Sequence, residues 1–126
     1  MTKRILVIDD EEEICALIKE SLEQLGKFSV IAAYNGTDGL HKAQEVKPDL
    51  ILMDVSMPSM NGFKVLELLK ENNNTDRIPV VMLTGKPLDD FGIAASNLCS
   101  DAFIAKPFNI IELKDKIDTI LAGSGT

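Results

Sequence analysis

Carboxylate, hydroxyl and ammonium side chains fall at the ends of four apolar runs, and their spacing suggests one shared site. Asp54 follows Leu50-Ile51-Leu52-Met53, an unbroken apolar run bounded by Pro48 before it and a loop signal after it. Such a run reads as a strand buried on both faces, and open α/β sheets hold their ligands at the carboxyl ends of such strands. Asp9 and Asp10 stand in the same place after Ile5 to Ile8, Thr84 after Val80 to Leu83, and Lys106 after Ala102 to Ala105. Carboxylates brought within several ångströms repel by roughly 4 kcal/mol per close pair at an effective dielectric near 20, so at neutral pH they need a cation or raised pKa values. A hard divalent ion with oxygen ligands answers that need, and Mg²⁺ keeps several waters and leaves room for a phosphoryl oxygen. A carboxylate nucleophile, a metal, a hydroxyl and a fixed cation suffice for phosphoryl transfer onto Asp54, because that chemistry is mostly positioning and charge neutralisation. No histidine or glutamate is expected on the other strand tips to direct a water, so a lasting covalent state follows more naturally than rapid turnover.

The elements that must carry these residues are legible from periodicity. Helix 1 is apolar at Ile14, Leu17, Ile18, Leu22 and Leu25, stops near Gly26, and carries Cys15 at the edge of its stripe as a core residue. Phe28 to Ala33 is interrupted by Ser29 and belongs at a sheet edge. Asn35 or Thr37 caps a second helix through about Val46, weakened by Gly39, with His41 on its solvated side. Phe63, Leu66 and Leu69, widened by Val65 and Leu68, mark a third helix, and Pro79 opens the fourth strand. A fourth helix after Lys86-Pro87 is the weakest, with Gly92, Ala94, Ala95 and Ser96, and is expected to be mobile. Asn109 and Glu112 suggest a capping box for a last helix carrying Ile110, Leu113, Ile117 and Ile120.

Five strands alternating with five helices predict a doubly wound α/β fold. The uninterrupted first, third and fourth runs should be central, which gives a five-stranded parallel sheet of order 2-1-3-4-5, a flavodoxin-like (βα)5 arrangement. The 126 residues and their 45% hydrophobic content fit one domain over 1–122, with 123–126 a tail or the start of a linker. A net charge of -7 argues against direct contact with nucleic acid or an anionic membrane and favours basic partners or cations. Cys15 and Cys99 have no metal spacing, and no signal-peptide pattern or membrane-length apolar run is present, so a reduced, cytoplasmic setting is expected.

The bland readings are a helix cap for Asp10 with Glu13, an ordinary strand end for Thr84, core for Phe103 and a solvated charge for Lys106. Four motifs in order at four strand ends weigh against coincidence. They are Ile-Asp9-Asp10-Glu, Met-Asp54-Val-Ser-Met-Pro58-Ser-Met-Asn-Gly62, Leu-Thr84-Gly85 and Phe103-Ile-Ala-Lys106-Pro107-Phe. From Lys3 to about Leu121 the sequence resembles a receiver domain of a two-component response regulator.

That resemblance implies a phospho-accepting switch rather than an enzyme with a separate substrate, one that assists its own phosphorylation and dephosphorylation. It implies Asp54 as acceptor of a phosphoryl group from a sensor histidine kinase or phosphotransfer protein. Mg²⁺, or Mn²⁺ in its place, would be held by Asp10 directly, Asp9 through water, Asp54 and the Ser56 backbone carbonyl. Thr84 and Phe103 resemble the switch pair, Lys106 the phosphate-pairing lysine, and the Lys106-Pro107 bond is usually cis in such domains. Phosphorylation would draw Thr84 inward, bury Phe103 and shift the face of helix 4, strand 5 and helix 5. Phe103 lacks a phenolic hydroxyl, Gly85 is small as access to the phosphoryl group requires, and Ser56 and Lys86 leave the phospho-state lifetime open. Two other classes stand beside this one. A small Mg²⁺-dependent aspartate-nucleophile phosphatase expects a second Asp where Ser56 stands, and a receiver-like scaffold would bind partners without phosphorylation.

Overall fold

Three strands buried along most of their length form the centre of the sheet, as expected of runs without a polar interruption. In a computed structural model of the chain, which describes residues 2–57, 61–85 and 102–124, these are β1 (Lys3–Ile8), β3 (Leu50–Asp54) and β4 (Val80–Thr84). β2 (Phe28–Ala33) and β5 (Ala102–Ala105) are the edges. All pairings are parallel and the order is β2-β1-β3-β4-β5. The reading of Phe28 to Ala33 as an edge strand therefore agrees with its mixed burial.

Helices α1 (Glu12–Gln24), α2 (Gly36–Val46), α3 (Gly62–Glu71) and α4 (Ile110–Ser124) cover the sheet, α4 being the fifth helix of the sequence-based tally. Side chains alternate across each strand, so every central strand feeds two cores. Ile5, Val7, Leu50, Leu52, Val81 and Leu83 pack with Ile18 and Leu22 of α1 and Leu113 and Ile117 of α4. Leu6, Ile8, Ile51, Met53, Val80 and Met82 pack with Ala43 of α2 and with Val65, Leu66 and Leu69 of α3. A continuous apolar run with helices on both faces is the sequence signature of this arrangement. The fourth predicted helix, with Gly92 to Ser96, and Cys99 lie outside the described residues.

Local chemistry sets the helix ends. The Asn35, Asn61 and Asn109 side chains accept the backbone N–H groups of Asp38, Lys64 and Glu112 at 2.8, 2.9 and 2.7 Å. Each satisfies one of the N–H groups that a helix start leaves without a partner. Asn35 rather than Thr37 is thus the cap of α2. Beyond α1 the chain turns at Gly26, whose φ of +79° is a conformation L side chains rarely adopt. α4 continues through Gly123 and Ser124, residues that sequence composition assigns to a tail.

The α1 stripe differs from its prediction. Cys15, Ile18 and Leu22 form its buried centre, Ile14 is half-buried, and Leu17 is 52% exposed. The buried line runs through Cys15, three residues before Ile18, so Cys15 is central rather than marginal. Leu25 lies past the last helical residue and is exposed. Among the described residues no helix is long and apolar enough to cross a membrane.

Candidate functional site

Strand register brings the polar tips together. Ile8 pairs with Met53, so Asp9 and Asp54 are the next residues on adjacent strands and stand level. Asp54 pairs with Leu83 and Thr84 with Ala105, which puts Thr84 one step beyond Asp54 and Lys106 one step beyond Thr84. Backbone bonds hold these ends: Asp9 N–H to Ala33 O at 3.0 Å, Val55 N–H to Leu83 O at 2.9 Å and Lys106 N–H to Thr84 O at 2.7 Å. The polar tips are thereby fixed by the sheet rather than by loop conformation.

Two glycines make room behind the acids. Gly62 donates its N–H to Val55 O at 2.8 Å, and a Cβ there would collide with the Asp54 carbonyl oxygen. A Cβ at Gly39 would stand 2.6 Å from Ile8 Cδ1, under the residue that precedes Asp9. Gly39 thus lowers the helix propensity of α2 but permits α2 to pack closely on β1. Gly85, by contrast, has no atom of the described residues within 4 Å of where a Cβ would lie.

Carboxylate oxygens of Asp9, Asp10 and Asp54 all lie within 4.8 Å of one another. Asp9 is fully buried, Asp54 is 4% exposed and Asp10 faces solvent. Asp9 accepts the Glu11 N–H through Oδ1 at 2.9 Å and the Lys106 ammonium through Oδ2 at 2.8 Å. Lys106 Nζ also lies 3.4 Å from Asp54 Oδ1 and 3.4 Å from Glu11 Oε1. The Ser56 N–H donates to Asp54 Oδ1 at 3.4 Å.

The electrostatics follow from that crowding. Burial, and then the charge of Asp9, push the Asp54 carboxyl from its ordinary 3.8 up to about 6, against the opposing pull of Lys106 and the Ser56 N–H. Burial pulls the Lys106 ammonium down, but its hydrogen bond to Asp9 and the charges of Asp9 and Asp54 outweigh this and hold it above its ordinary value. Among the described residues one ammonium therefore does not balance the acids around it. Three hard oxygen donors with an excess of negative charge fit a small divalent cation such as Mg²⁺.

Thr84 is buried at the tip of β4. Phe103 is half-buried on the α2/α3 side of the sheet, its ring tilted 47° to that of Phe63 with centroids 6.5 Å apart. The Lys106-Pro107 peptide bond is cis, as the resemblance implies. Asp10 is not a helix cap: Glu11 occupies the N-cap of α1 and no side chain caps that end. His41 is exposed on α2.

Three contributors have no place assigned by sequence alone. Glu11 is there one member of an acidic run, and its position two residues after Asp9 is the only sequence signal that it turns back toward the site. Phe63 reads as core, and its contact with Phe103 depends on packing across β4. Cys15 donates its thiol to the Asp9 carbonyl oxygen at 3.4 Å, and burial, followed by the Asp9 charge, pushes that thiol up to about 12.

Comparison with known proteins agrees with this geometry. The family model of the response regulator receiver domain matches residues 5–118. The alkaline phosphatase synthesis transcriptional regulatory protein PhoP of Bacillus subtilis is 37% identical over 124 residues, covering 98% of this chain and 50% of the relative. The transcriptional regulatory protein CpxR of Escherichia coli is 38% identical over 121 residues, covering 96% and 50%. The chain spans about half the length of these curated relatives. A CheY-like response regulator receiver domain protein from Methanospirillum hungatei superposes with a TM-score of 0.91 at 31% identity, covering 99% of this chain and 98% of that one. The chemotaxis protein CheY4 of Vibrio cholerae superposes with a TM-score of 0.87 at 26% identity, covering 94% and 98%. With its doubly wound sheet of order 2-1-3-4-5 and acids at the lip of that sheet, the chain belongs to the response regulator receiver domain family, the phospho-accepting signalling switches of two-component systems.

Proposed function

We propose that Asp54 is the phosphoacceptor and that Asp9, Asp10, Thr84 and Lys106 equip it for transfer. The observation that carries this reading is the convergence of Asp9, Asp10 and Asp54 within 4.8 Å beneath a lysine whose Nζ lies 3.4 Å from Asp54 Oδ1. An Asp54 oxygen attacks the phosphorus of a phosphohistidine, the P–N bond breaks, and the imidazole leaves with that electron pair. Asp9, Asp10, Asp54 and the Ser56 carbonyl would hold Mg²⁺, or Mn²⁺ in its place, which when bound neutralises charge on the phosphoryl oxygens. Lys106 supplies a second, permanent cation at a further oxygen, and Thr84 a hydroxyl at a third. The same groups assist removal of the phosphoryl group, so the domain contributes to both directions of its own modification.

Charge change at Asp54 is proposed to reach the surface through Thr84 and Phe103, moving the face formed by β5 and α4. Phe103 supports this role by lying half-buried beside Phe63, a position from which its ring can bury further. The proposed partners are a sensor histidine kinase or phosphotransfer protein in the cytoplasm and a downstream effector. This acidic domain is not proposed to touch nucleic acid or membrane itself.

The test is site mapping. Protein treated with acetyl phosphate and Mg²⁺, reduced with borohydride and digested should carry the reduced residue at position 54 alone. Modification elsewhere, or equal modification of Asp54→Ala, would overturn the assignment.

A further inference from the structure

We infer that Glu11 is a positioning residue that competes with the phosphoryl group for Lys106 and so sets how readily the phosphorylated state forms. This rests on the proposed role of Asp54 and Lys106, and goes beyond it by adding a residue outside the acid pair.

Two independent observations point to Glu11. First, it occupies the N-cap of α1, where a side-chain oxygen ordinarily accepts a helix N–H, yet its carboxylate makes no capping bond. Its backbone does the local work instead, with the carbonyl accepting from Ile14 and Cys15 and the N–H donating to Asp9. Second, the side chain turns toward the site and places Oε1 3.4 Å from Lys106 Nζ.

An ammonium has three N–H donors. At rest those of Lys106 face three carboxylates, at 2.8 Å for Asp9 and 3.4 Å for Asp54 and for Glu11. A phosphoryl group on Asp54 adds anionic oxygens that also claim this ammonium. Asp9 is fully buried and cannot give up its share without leaving an unpaired interior charge, whereas the Glu11 side chain is 60% exposed and is readily resolvated. The Glu11 contact is therefore the one that yields. Once it has yielded, the Glu11 carboxylate is left near the new negative charge. Glu11 thus favours the resting state both by holding Lys106 and by repelling the phosphoryl oxygens.

The test uses the whole chain as wild type, Glu11→Gln, Glu11→Asp and Glu12→Gln. Glutamine removes the charge at position 11 without removing a helix cap. Glu12→Gln removes the same charge one residue along, from a side chain with no ion pair to Lys106 among the described contacts. Beryllofluoride affinity is measured by fluorine NMR at saturating Mg²⁺, and the Lys106 side-chain nitrogen resonance is followed in metal-free protein. Glu11→Gln should bind beryllofluoride about two- to fivefold more tightly, the range of a partly exposed ion pair, with the gain shrinking as salt is raised. Glu11→Asp, which keeps the charge, should lie between it and wild type, and Glu12→Gln should match wild type. In metal-free protein the Lys106 resonance should move in Glu11→Gln and stay in Glu12→Gln. Equal affinities in all four proteins, or equal shifts in the two glutamine variants, would overturn the inference while leaving Asp54 as acceptor. No beryllofluoride binding by any of them would overturn the acceptor assignment and this inference together.

Discussion

Replacing Asp54 by asparagine should stabilise the metal-free protein at neutral pH, although Asp54 is buried and hydrogen-bonded. Its carboxyl is raised from 3.8 to about 6 in the fold, so the folded state holds the proton more tightly than the unfolded state does. Stability from this group is therefore complete below about pH 4 and is lost as pH rises through about 6. The difference between 3.8 and about 6, at about 1.4 kcal/mol for each pH unit, is about 3 kcal/mol at pH 7. An asparagine side chain at this position resembles the protonated acid in size and in accepting the Ser56 N–H, but it never ionises. Urea unfolding in EDTA should thus place Asp54→Asn above wild type by up to about 3 kcal/mol at pH 7.5, a midpoint shift of about 1.5 M for a slope near 2 kcal/mol per molar. At pH 4 the gap should shrink to about 0.5 kcal/mol. Mg²⁺ at pH 7.5 should narrow the gap by stabilising the wild type more than the variant. An Asp54→Asn protein no more stable than wild type at pH 7.5, or a gap as large at pH 4 as at pH 7.5, would refute the claim that crowded charge destabilises this site.

Other expectations concern the groups around Asp54. Lys106→Met leaves Asp9 buried with an uncompensated charge and should cost about 3 kcal/mol in EDTA at pH 7, with part recovered on adding Mg²⁺; wild-type stability in EDTA would contradict the pairing. Gly62→Ala drives a methyl into the Asp54 carbonyl oxygen and should lose about 1–3 kcal/mol by thermal or urea unfolding, with a lower phosphorylation yield from acetyl phosphate. In a Cys99→Ser background, Cys15, with its thiol pushed up to about 12, should alkylate at pH 8 only as fast as the protein unfolds, since about one thiol in ten thousand is ionised. Labelling faster than unfolding would contradict its burial.

The site was legible in the sequence where the backbone alone places a residue. Asp9, Asp54, Thr84 and Lys106 each end a strand, and parallel register between apolar runs puts such ends at one lip whatever the loops do. Strand order was legible for the same reason, because Ser29 in β2 marks an edge and the uninterrupted β1, β3 and β4 mark the centre. Residues whose role depends on contacts distant in the chain were not legible. Glu11 acquires its part only when Lys106, 95 residues away in sequence, is folded against it. Gly39 reads as a weak point in a helix until Ile8 is seen beneath it, and Cys15 reads as marginal because an apolar stripe drawn through Ile14 and Leu17 is rotated from the one that packs.

Manganese binding followed by NMR tests most directly whether the acids at the strand tips form a dication site. Substoichiometric Mn²⁺ at pH 7.5 should broaden the amides of residues 9 to 11 and 54 to 56 before all others, excess Mg²⁺ should reverse this, and Asp54→Asn should need far more Mn²⁺ for the same effect. Broadening centred elsewhere, or unchanged in Asp54→Asn, would contradict a metal-assisted phosphoacceptor at this lip of the sheet.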